Sequence, residues 1–560
     1  MVRIACVLVV LGLIVAIGLP PTVKAQSARR DVVIGMIQEP DVLNSVVTST
    51  AASNFVMKAM MNFATYYDPS WTIRPNIVEN IPNLEDGSWR MLGGGKMRLI
   101  WKLRRGVKWS DGRDVTAADF AFTAELVKDP DVGATSTFNC GFGSKVESVE
   151  ALDPVTVAVT WRQVYPYANT CVSDGGLVPR HVLESAYRAD PTKFKETAYG
   201  REAGVTISNG PYVLKSWTRG SEIVLEANPH YWRGKPALDR VVFKFFSDAN
   251  TMLANLVSGG VDVVPSGFLG LSFGQALQVQ DLIKQGRAPN VKLDFGPSLL
   301  YDSLTINLDN PILKDKRVRQ ALTYASDRES ISKQLYQGVQ VVTHSPVPPN
   351  HPAFLKSIKK YPFDLAKARA LLEEAGWRPG PDGIRRNAQG ERLSVVVTTT
   401  AGNRDRERVQ QLLQDWWRQA GIELVIENFP ARVIFGTMVY QRRFKGIVLQ
   451  SNGFERPDIV LDAYTSAAVK PVGEFSINYL GYRNADVDKI AAAYSGELDR
   501  AKRTDMLGQF QKIWAEELPE IPLYWFSAGT AYNMNLKGYQ PVGLAAYPEP
   551  ATWNIYQWHW

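Results

Sequence analysis

The chain has 560 residues, 45% of them hydrophobic and 21% charged, an ordinary globular composition too long for a single hydrophobic core, so two or more domains are expected. Its 63 Lys and Arg against 56 Asp and Glu give a formal charge of +7, mild for this length, and no basic stripe with interleaved aromatics supports a nucleic-acid groove. Five His and three Cys supply metal chemistry poorly, whereas 15 Trp, 22 Tyr and 22 Phe suit a cleft that grips ligands by flat or apolar faces.

The first element is a targeting segment. Arg3 supplies a positive start, Ile4 to Leu19 is nearly unbroken apolar sequence, and Pro20-Pro21 leads into Val23-Lys24-Ala25, which fits signal-peptidase cleavage after Ala25. A retained anchor is the alternative, and the apolar run is short for a spanning helix. Cys6 lies far upstream of the cleavage point, so no lipid-bearing Cys is expected, and the mature chain is read as exported, periplasmic and free. Losing Arg3 and Lys24 leaves a net charge of +5. Only Cys140 and Cys171 remain after cleavage; export permits a disulfide between them, and two buried thiols are the alternative.

Val32 to Ile37 predicts a strand and Ala52 to Met61 a helix. Trp89 to Leu92 and Lys96 to Leu103 form a hairpin around Gly93-Gly94-Gly95. Thr116 is a good N-cap with Asp119 in the capping-box position, so an amphipathic helix runs towards Pro130. A second hairpin spans Val146 to Trp161, turning at Asp153-Pro154. Strands follow at Tyr212 to Trp217, Glu222 to Ala227 and Val241 to Phe246, then a helix from Ala249 to Ser258 and a strand from Val261 to Val264. Beyond Asn290 strands and helices alternate. The strands are Ser303 to Leu308, Leu393 to Thr398, Ile422 to Glu427 and Gly446 to Gln450; the helices are Arg317 to Ala325, Leu365 to Ala375, Arg404 to Ala420 and Ala431 to Tyr440. This alternation predicts α/β structure with a parallel or mixed sheet and right-handed crossovers.

In open α/β sheets ligands sit beyond the carboxyl ends of strands. Three loops leave the sheet there: "TTAGNRD" after Thr398, "NFP" after Glu427 and "SNGFERPD" after Gln450, the last with the most hydrogen-bonding variety. A Pro-terminated turn that caps the next helix is the structural alternative for it. Signs of catalysis are weak. Gly270 to Gly274 matches G-x-S-x-G around Ser272, but Pro265 to Leu269 separate it from the preceding strand, and His344, His351 and His559 have no supporting context. Gly93-Gly94-Gly95-Lys96 lacks the rest of a phosphate loop, and the spacing of His344 and His351 carries no metal meaning. A secreted serine hydrolase acting through Ser272 remains the alternative of another class, and an envelope or sensor protein without saturable ligand binding a third.

Several stretches taken together resemble one family. "LIWKLRRGVKWSDGRDVTAADFAFTAELVKDPDV" (Leu99 to Val132), Ser208 to Val264, Ile306 to Ile331, "FDLAKARALLEEAGW" (Phe363 to Trp377) and "IPLYWF" (Ile521 to Phe526) are similar, in order, to the signature blocks of ABC-importer solute-binding proteins of family 5, the dipeptide-, oligopeptide- and nickel-binding group. The resemblance implies an α/β, two-lobed periplasmic-binding-protein fold of type II with an extra domain and a ligand cleft between the lobes. Residues 26–65, 200–295 and 520–560 would form lobe I, 66–199 the extra domain and 296–519 lobe II. It also implies capture of a peptide or peptide-sized polar solute by lobe closure and delivery to an inner-membrane ABC permease, by a monomer with no cofactor, no metal and no catalytic group. Within the family, an oligosaccharide- or opine-binding member is the alternative.

In peptide-binding relatives the segment matching the opening of "SNGFERPD" resembles D-x-x-[DE]-P, whose first Asp pairs with the peptide ammonium. Pro457 sets the register here, and the position four before it is Gly453. Arg456 stands where the family often has an acid; Glu455 and Asp458 are substitutes at hand, and a register shifted by one residue is the other alternative. The expected ligand-binding residues are Glu39, Trp71, Asn139, Asn307, Ser451, Asn452, Gly453, Phe454 and Glu455. Trp71 equally suits hinge packing, Asn307 a turn and Glu39 a helix cap.

Overall fold

A computed structural model describes residues 29–48, 50–69, 72–135, 145–170, 176–349, 351–453, 461–540, 543–544, 547–548 and 551–560. The expected export segment, Trp71, Asn139, Cys140, Cys171, Phe454 and Glu455 lie outside them.

Alternating buried residues in Val32, Ile34 and Met36 make β1 (Asp31–Met36) a core strand. Helix α1 (Ala51–Met60) starts at Thr50, whose hydroxyl accepts from Ser53 N at 3.3 Å. The predicted hairpins appear as β2 (Trp89–Met91) with β3 (Met97–Lys102) and β4 (Val146–Asp153) with β5 (Thr156–Trp161). They join into a four-stranded sheet in the order β2-β3-β5-β4. Helix α2 (Ala117–Lys128) packs on this sheet, and α3 (Arg180–Ala189) follows. The chain then adds β6 (Tyr212–Thr218), β7 (Glu222–Ala227), β8 (Arg240–Phe245), α4 (Ala249–Ser258), β9 (Val263–Val264) and α5 (Phe273–Lys284).

Next comes β10 (Val291–Ile306), a 16-residue strand. The sequence predicted only its last part, from Ser303; pairing with a later strand carries it through Gly296-Pro297. Helices α6 (Lys316–Tyr324), α7 (Arg328–Tyr336) and α8 (Leu365–Glu374) precede β11 (Ser394–Thr398), α9 (Arg404–Gln419), β12 (Glu423–Ile426) and β13 (Ile447–Gly453). The expected helix at Ala431 is one α-helical turn, Ala431–Val433, continued as a π-helix, Ile434–Met438. Helices α10 (Ala485–Gly496) and α11 (Arg500–Glu517) lead into β14 (Glu520–Asn533).

Ten strands form one mixed sheet in the order β12-β11-β13-β10-β14-β9-β1-β8-β7-β6. Strand β11 is parallel to β12 and β13, β1 is parallel to β8, and β10 and β14 are antiparallel partners. The β10–β14 ladder shifts register between Pro297 and Tyr301. There residues 340–341 take over the pairing: Trp525 N donates to Val341 O at 2.8 Å, and Gln340 exchanges two hydrogen bonds with the Ser527 backbone.

Both long strands divide between cores. Leu304, Ile306, Ile521, Leu523 and Tyr524 sit in a cluster with Val318, Leu372, Val397 and Trp417. Val291 and Ala531 instead pack with Met252, Val261 and Val264. The first large core joins Val32, Phe55, Tyr212 and Phe243 to Phe122, Leu126, Val178 and Leu183, so the small-sheet module shares a core with the β1 half of the molecule. Two bodies joined by two antiparallel strands is the arrangement that permits a hinge, and it is the two-lobed fold the sequence resemblance implied.

Candidate functional site

A cavity of about 800 Å³ lies where the two bodies face each other. One wall is Ile37, which follows β1, and the segment Gly270–Gln275 that starts α5. The opposite wall is built by the second body: Leu300 and Asp302 from β10, Tyr336 from α7, Asn403, Asp405 and Arg406 at the start of α9, Ser451 from β13, and Tyr524 from β14.

At its centre is an ion pair. Arg406 Nη2 and Nε donate to Asp302 Oδ1 and Oδ2 at 2.8 and 3.2 Å, and both side chains are nearly buried, 14% and 5% exposed. Ser451 Oγ donates to Asp302 Oδ1 at 2.6 Å and accepts from Arg406 Nη2 at 2.7 Å. Tyr524 OH donates to Asp302 Oδ2 at 3.2 Å, and its oxygen lies 2.9 Å from Tyr336 OH. Burial alone would raise the Asp302 carboxyl, but the Arg406 charge and these hydrogen bonds hold it below the ordinary value. Burial likewise opposes the Arg406 charge, and Asp302 overcomes it. The pair is thus ionised and presents a rigid polar wall.

Local chemistry explains the placement. Asn403 caps α9, its side chain accepting from Arg406 N at 3.2 Å, which sets the first helical turn, and with it Arg406, at the end of β11. On the opposite wall Ser272 and Gln275 form a capping box: Ser272 N donates to Gln275 Oε1 at 3.0 Å, and Ser272 Oγ accepts from Gln275 N at 3.3 Å. Ser272 Oγ also donates to Gln275 Oε1 at 2.9 Å, so this hydroxyl works as a helix cap and not as an activated nucleophile at a strand-to-helix elbow.

The expected site residues separate into three groups. Ser451 lines the cavity. Its neighbour Asn452 points through the other face of the sheet, as strand alternation requires. There Asn452 Nδ2 reaches Ser303 Oγ, Thr305 Oγ1 and Glu520 Oε2 at 2.8, 2.7 and 2.5 Å, and Tyr479 OH donates to Asn452 Oδ1 at 2.9 Å. Gly453 ends β13 opposite Leu300 with φ near +143°, and a Cβ there would lie 2.9 Å from Leu300 Cα. Ser451 to Gly453 are therefore strand and not the loop expected after Gln450, because β10 continues past Ser303 and offers them a partner.

The remaining two described candidates lie away from the cavity. Glu39 accepts from Trp217 Nε1 at 2.7 Å and Gly220 N at 3.0 Å, fastening the β6–β7 turn. Asn307 lies beyond the far end of β10, roughly 16 Å from Asp302 along the strand. It donates to Phe444 O at 2.6 Å and accepts from Asp309 N at 3.1 Å, the turn-forming role weighed for it. Sequence reasoning did not select Asp302, Arg406, Tyr336 or Tyr524. The loop "TTAGNRD" pointed to the right strand end and stopped one residue short of Arg406, while Asp302 was hidden inside a strand predicted to begin later.

Beneath the site Glu520 is fully buried, and the side chains that hydrogen-bond to it are neutral. Tyr301 OH and Ser303 Oγ donate to it at 2.7 and 2.8 Å, with Asn452 Nδ2 at 2.5 Å and Tyr464 OH at 3.2 Å. Among the described residues no group of three or more His, Cys, Asp or Glu side chains is placed to hold a metal ion, and no helix is long and apolar enough to cross a membrane.

Residues 86–470 match the family model for bacterial extracellular solute-binding proteins, family 5, middle region. The chain is 28% identical to the oligopeptide-binding protein AppA of Bacillus subtilis (strain 168) over 543 residues, covering 94% of this chain and 91% of that protein. The solved oligopeptide-binding protein of Thermus thermophilus, complexed with a pentapeptide, is 28% identical with a TM-score of 0.69, covering 95% of this chain and 96% of that one. NikZ of Campylobacter jejuni, solved with Ni(L-His), shares the fold at a TM-score of 0.72, with 24% identity and coverage of 95% and 100%. With an interlobe cavity, two connecting strands and this match over more than half its length, the chain belongs to the family 5 bacterial extracellular solute-binding proteins.

Proposed function

We propose that the protein captures peptides, or polar solutes of peptide size, in the periplasm and delivers them to an ABC permease. The observation that carries this is the cavity of about 800 Å³ between the two bodies, large enough for a short peptide and walled by fixed polar groups and aromatic rings. Arg406 engages Asp302 and Ser451 through Nε and Nη2, which leaves Nη1 as the donor for a ligand carboxylate or carbonyl. The relatives named for oligopeptides support the ligand class.

Binding needs no bond-making step, and Ser272, the strongest nucleophile candidate in the sequence, serves as a helix cap; the protein acts as a carrier and not an enzyme. Cleavage after Ala25 delivers it as a free periplasmic monomer. Residues 26–65 and 200–295, with the second half of β14 and the residues that follow it to 560, form lobe I, carrying the module of residues 66–199, and residues 296–519 with the first half of β14 form lobe II. Gly453 cannot bear the carboxylate that peptide binders place there, so an ammonium, where the ligand has one, is met by another acid.

Native mass spectrometry of the mature protein as purified, with fragmentation of anything released, tests the ligand class. Peptide masses are the expected result. A sugar or other non-peptide mass would overturn it.

A further inference from the structure

Away from the cleft, the small-sheet module touches the second body at its rim. The module is fixed to the first body by a continuous core, in which Phe122, Leu126 and Val178 pack with Phe55 and Phe243. Its meeting with α10 and α11 is of a different kind. Tyr167 OH and Tyr494 OH hydrogen-bond across the gap, with ring centroids 6.4 Å apart. The Arg503 guanidinium lies 5.5 Å from the centre of the Tyr167 ring, held by the carbonyls of Glu497 and Leu498 at 2.9 Å. Packing is reciprocal: Leu498 of the α10–α11 turn sits against the module's core, and Tyr167 of the module sits against the core containing Tyr494, Leu507 and Trp514. Beside these tips the two surfaces enclose a cavity of about 250 Å³. A permanent interface is packed to interior density, whereas separable surfaces meet through a few polar and aromatic tips with space between them.

The position of this contact gives it a consequence. The two bodies are joined through β10 and β14, whose ladder breaks between Pro297 and Tyr301. Any rotation there that opens the cleft carries the module with the first body and pulls Tyr167 away from Tyr494 and Arg503. Burial lowers the Lys145 ammonium of the module and Asp462 of the second body opposes that shift, placing a second attraction across the same gap.

We propose that this rim contact is a latch on the closed cleft, made by the module outside the solute site, and that it slows solute release without touching the solute. The statement about release rests on the solute-binding function proposed above; the latch itself does not. A ligand can shift the open–closed equilibrium only through differential contacts, and a fixed contact present in one state alone biases the same equilibrium.

Hydrogen–deuterium exchange on the mature protein tests the latch without any ligand, comparing wild type with Tyr494→Phe, Tyr167→Phe and the double variant. Faster exchange is expected both at the rim and in the crossing segment 297–301, and the double variant is expected to exceed neither single by much, because both remove one contact. Faster exchange at the rim alone, with the crossing segment unchanged, would overturn the proposal. Arg503→Ala serves as a second variant should a Tyr substitution lower expression. For release, dissociation of an equimolar pentapeptide pool is followed by native mass spectrometry. The expected change is an off-rate about fivefold faster in the variants with an on-rate nearly unchanged. Equal off-rates would overturn the release claim. Failure of the pool to bind wild type would refute the peptide reading and leave the exchange result standing.

Discussion

Gly453 stands where the sequence resemblance to peptide binders implies an acid, and backbone geometry leaves no space for one. Its φ near +143° and the closeness of the Leu299–Leu300 backbone leave no room for a Cβ. Gly453→Asp, which places the expected carboxylate at this position, is therefore expected to destabilise the fold by about 1–3 kcal/mol and not to tighten peptide binding. Urea melts and calorimetric titration check both halves of that statement. Glu520 supplies a second prediction at this scale. Burial raises its carboxyl above the ordinary 4.5, and the surrounding hydroxyls and amide only partly offset it. The native state then holds the proton more tightly than the unfolded chain. Its stabilising contribution is complete below about pH 4.5 and is lost as pH rises through the raised native value. The stability difference between wild type and Glu520→Gln should accordingly fall between pH 4.5 and neutrality; melts at several pH values measure it, and a flat difference would show that Glu520 titrates normally.

Single elements depend on joints of the same kind. Asp119 sits at the third position of α2, and its Oδ2 accepts from Thr116 N at 2.8 Å and Thr116 Oγ1 at 3.0 Å. Its Oδ1 accepts from Arg180 N, the first residue of α3, at 2.9 Å. One carboxylate therefore starts two helices. Thr116→Ala should cost about 1 kcal/mol, and Asp119→Ala about twice that, since it leaves a second buried backbone donor unpaired. Thermal unfolding of the two variants side by side separates the values. The capping box was legible in the sequence because it is local: four consecutive residues specify it. The link to α3 was not, because its ends are 61 positions apart in the chain. Strand β10 shows the same limit from the other side: only its end was legible, and pairing with β14 more than 200 residues later carries it through Gly296-Pro297.

For the whole molecule, shape and function meet at the crossing strands. The cavity exists only while the two bodies face each other, so saturating the protein with the material it releases on denaturation should preserve or reduce the radius of gyration of solute-free protein, never increase it. Small-angle scattering before and after addition checks this, and an expansion would refute binding by closure. Within this frame Asp302 and Arg406 are more than wall residues. Asp302 belongs to β10 and Arg406 to α9, and their pair ties the crossing strand to the second body.

By itself the sequence determined what is local or repeated. Periodicity, caps and turn residues placed most strands and helices to within one or two positions, and five ordered blocks identified the family and its two-lobed fold. No basic stripe with interleaved aromatics pointed to a nucleic-acid groove. Only the tertiary structure decided which side chains meet. Ser451, Asp302 and Arg406 come together because β13, β10 and the start of α9 lie side by side, although more than 40 residues separate each from the next along the chain. Glu39 and Asn307 were plausible by residue type, yet hydrogen bonds to Trp217 and Phe444, more than a hundred residues distant, give them other work. Local free energies are encoded in neighbouring residues; the contacts of a cleft are set by strand register and by the packing of two bodies, which no short stretch of chain contains.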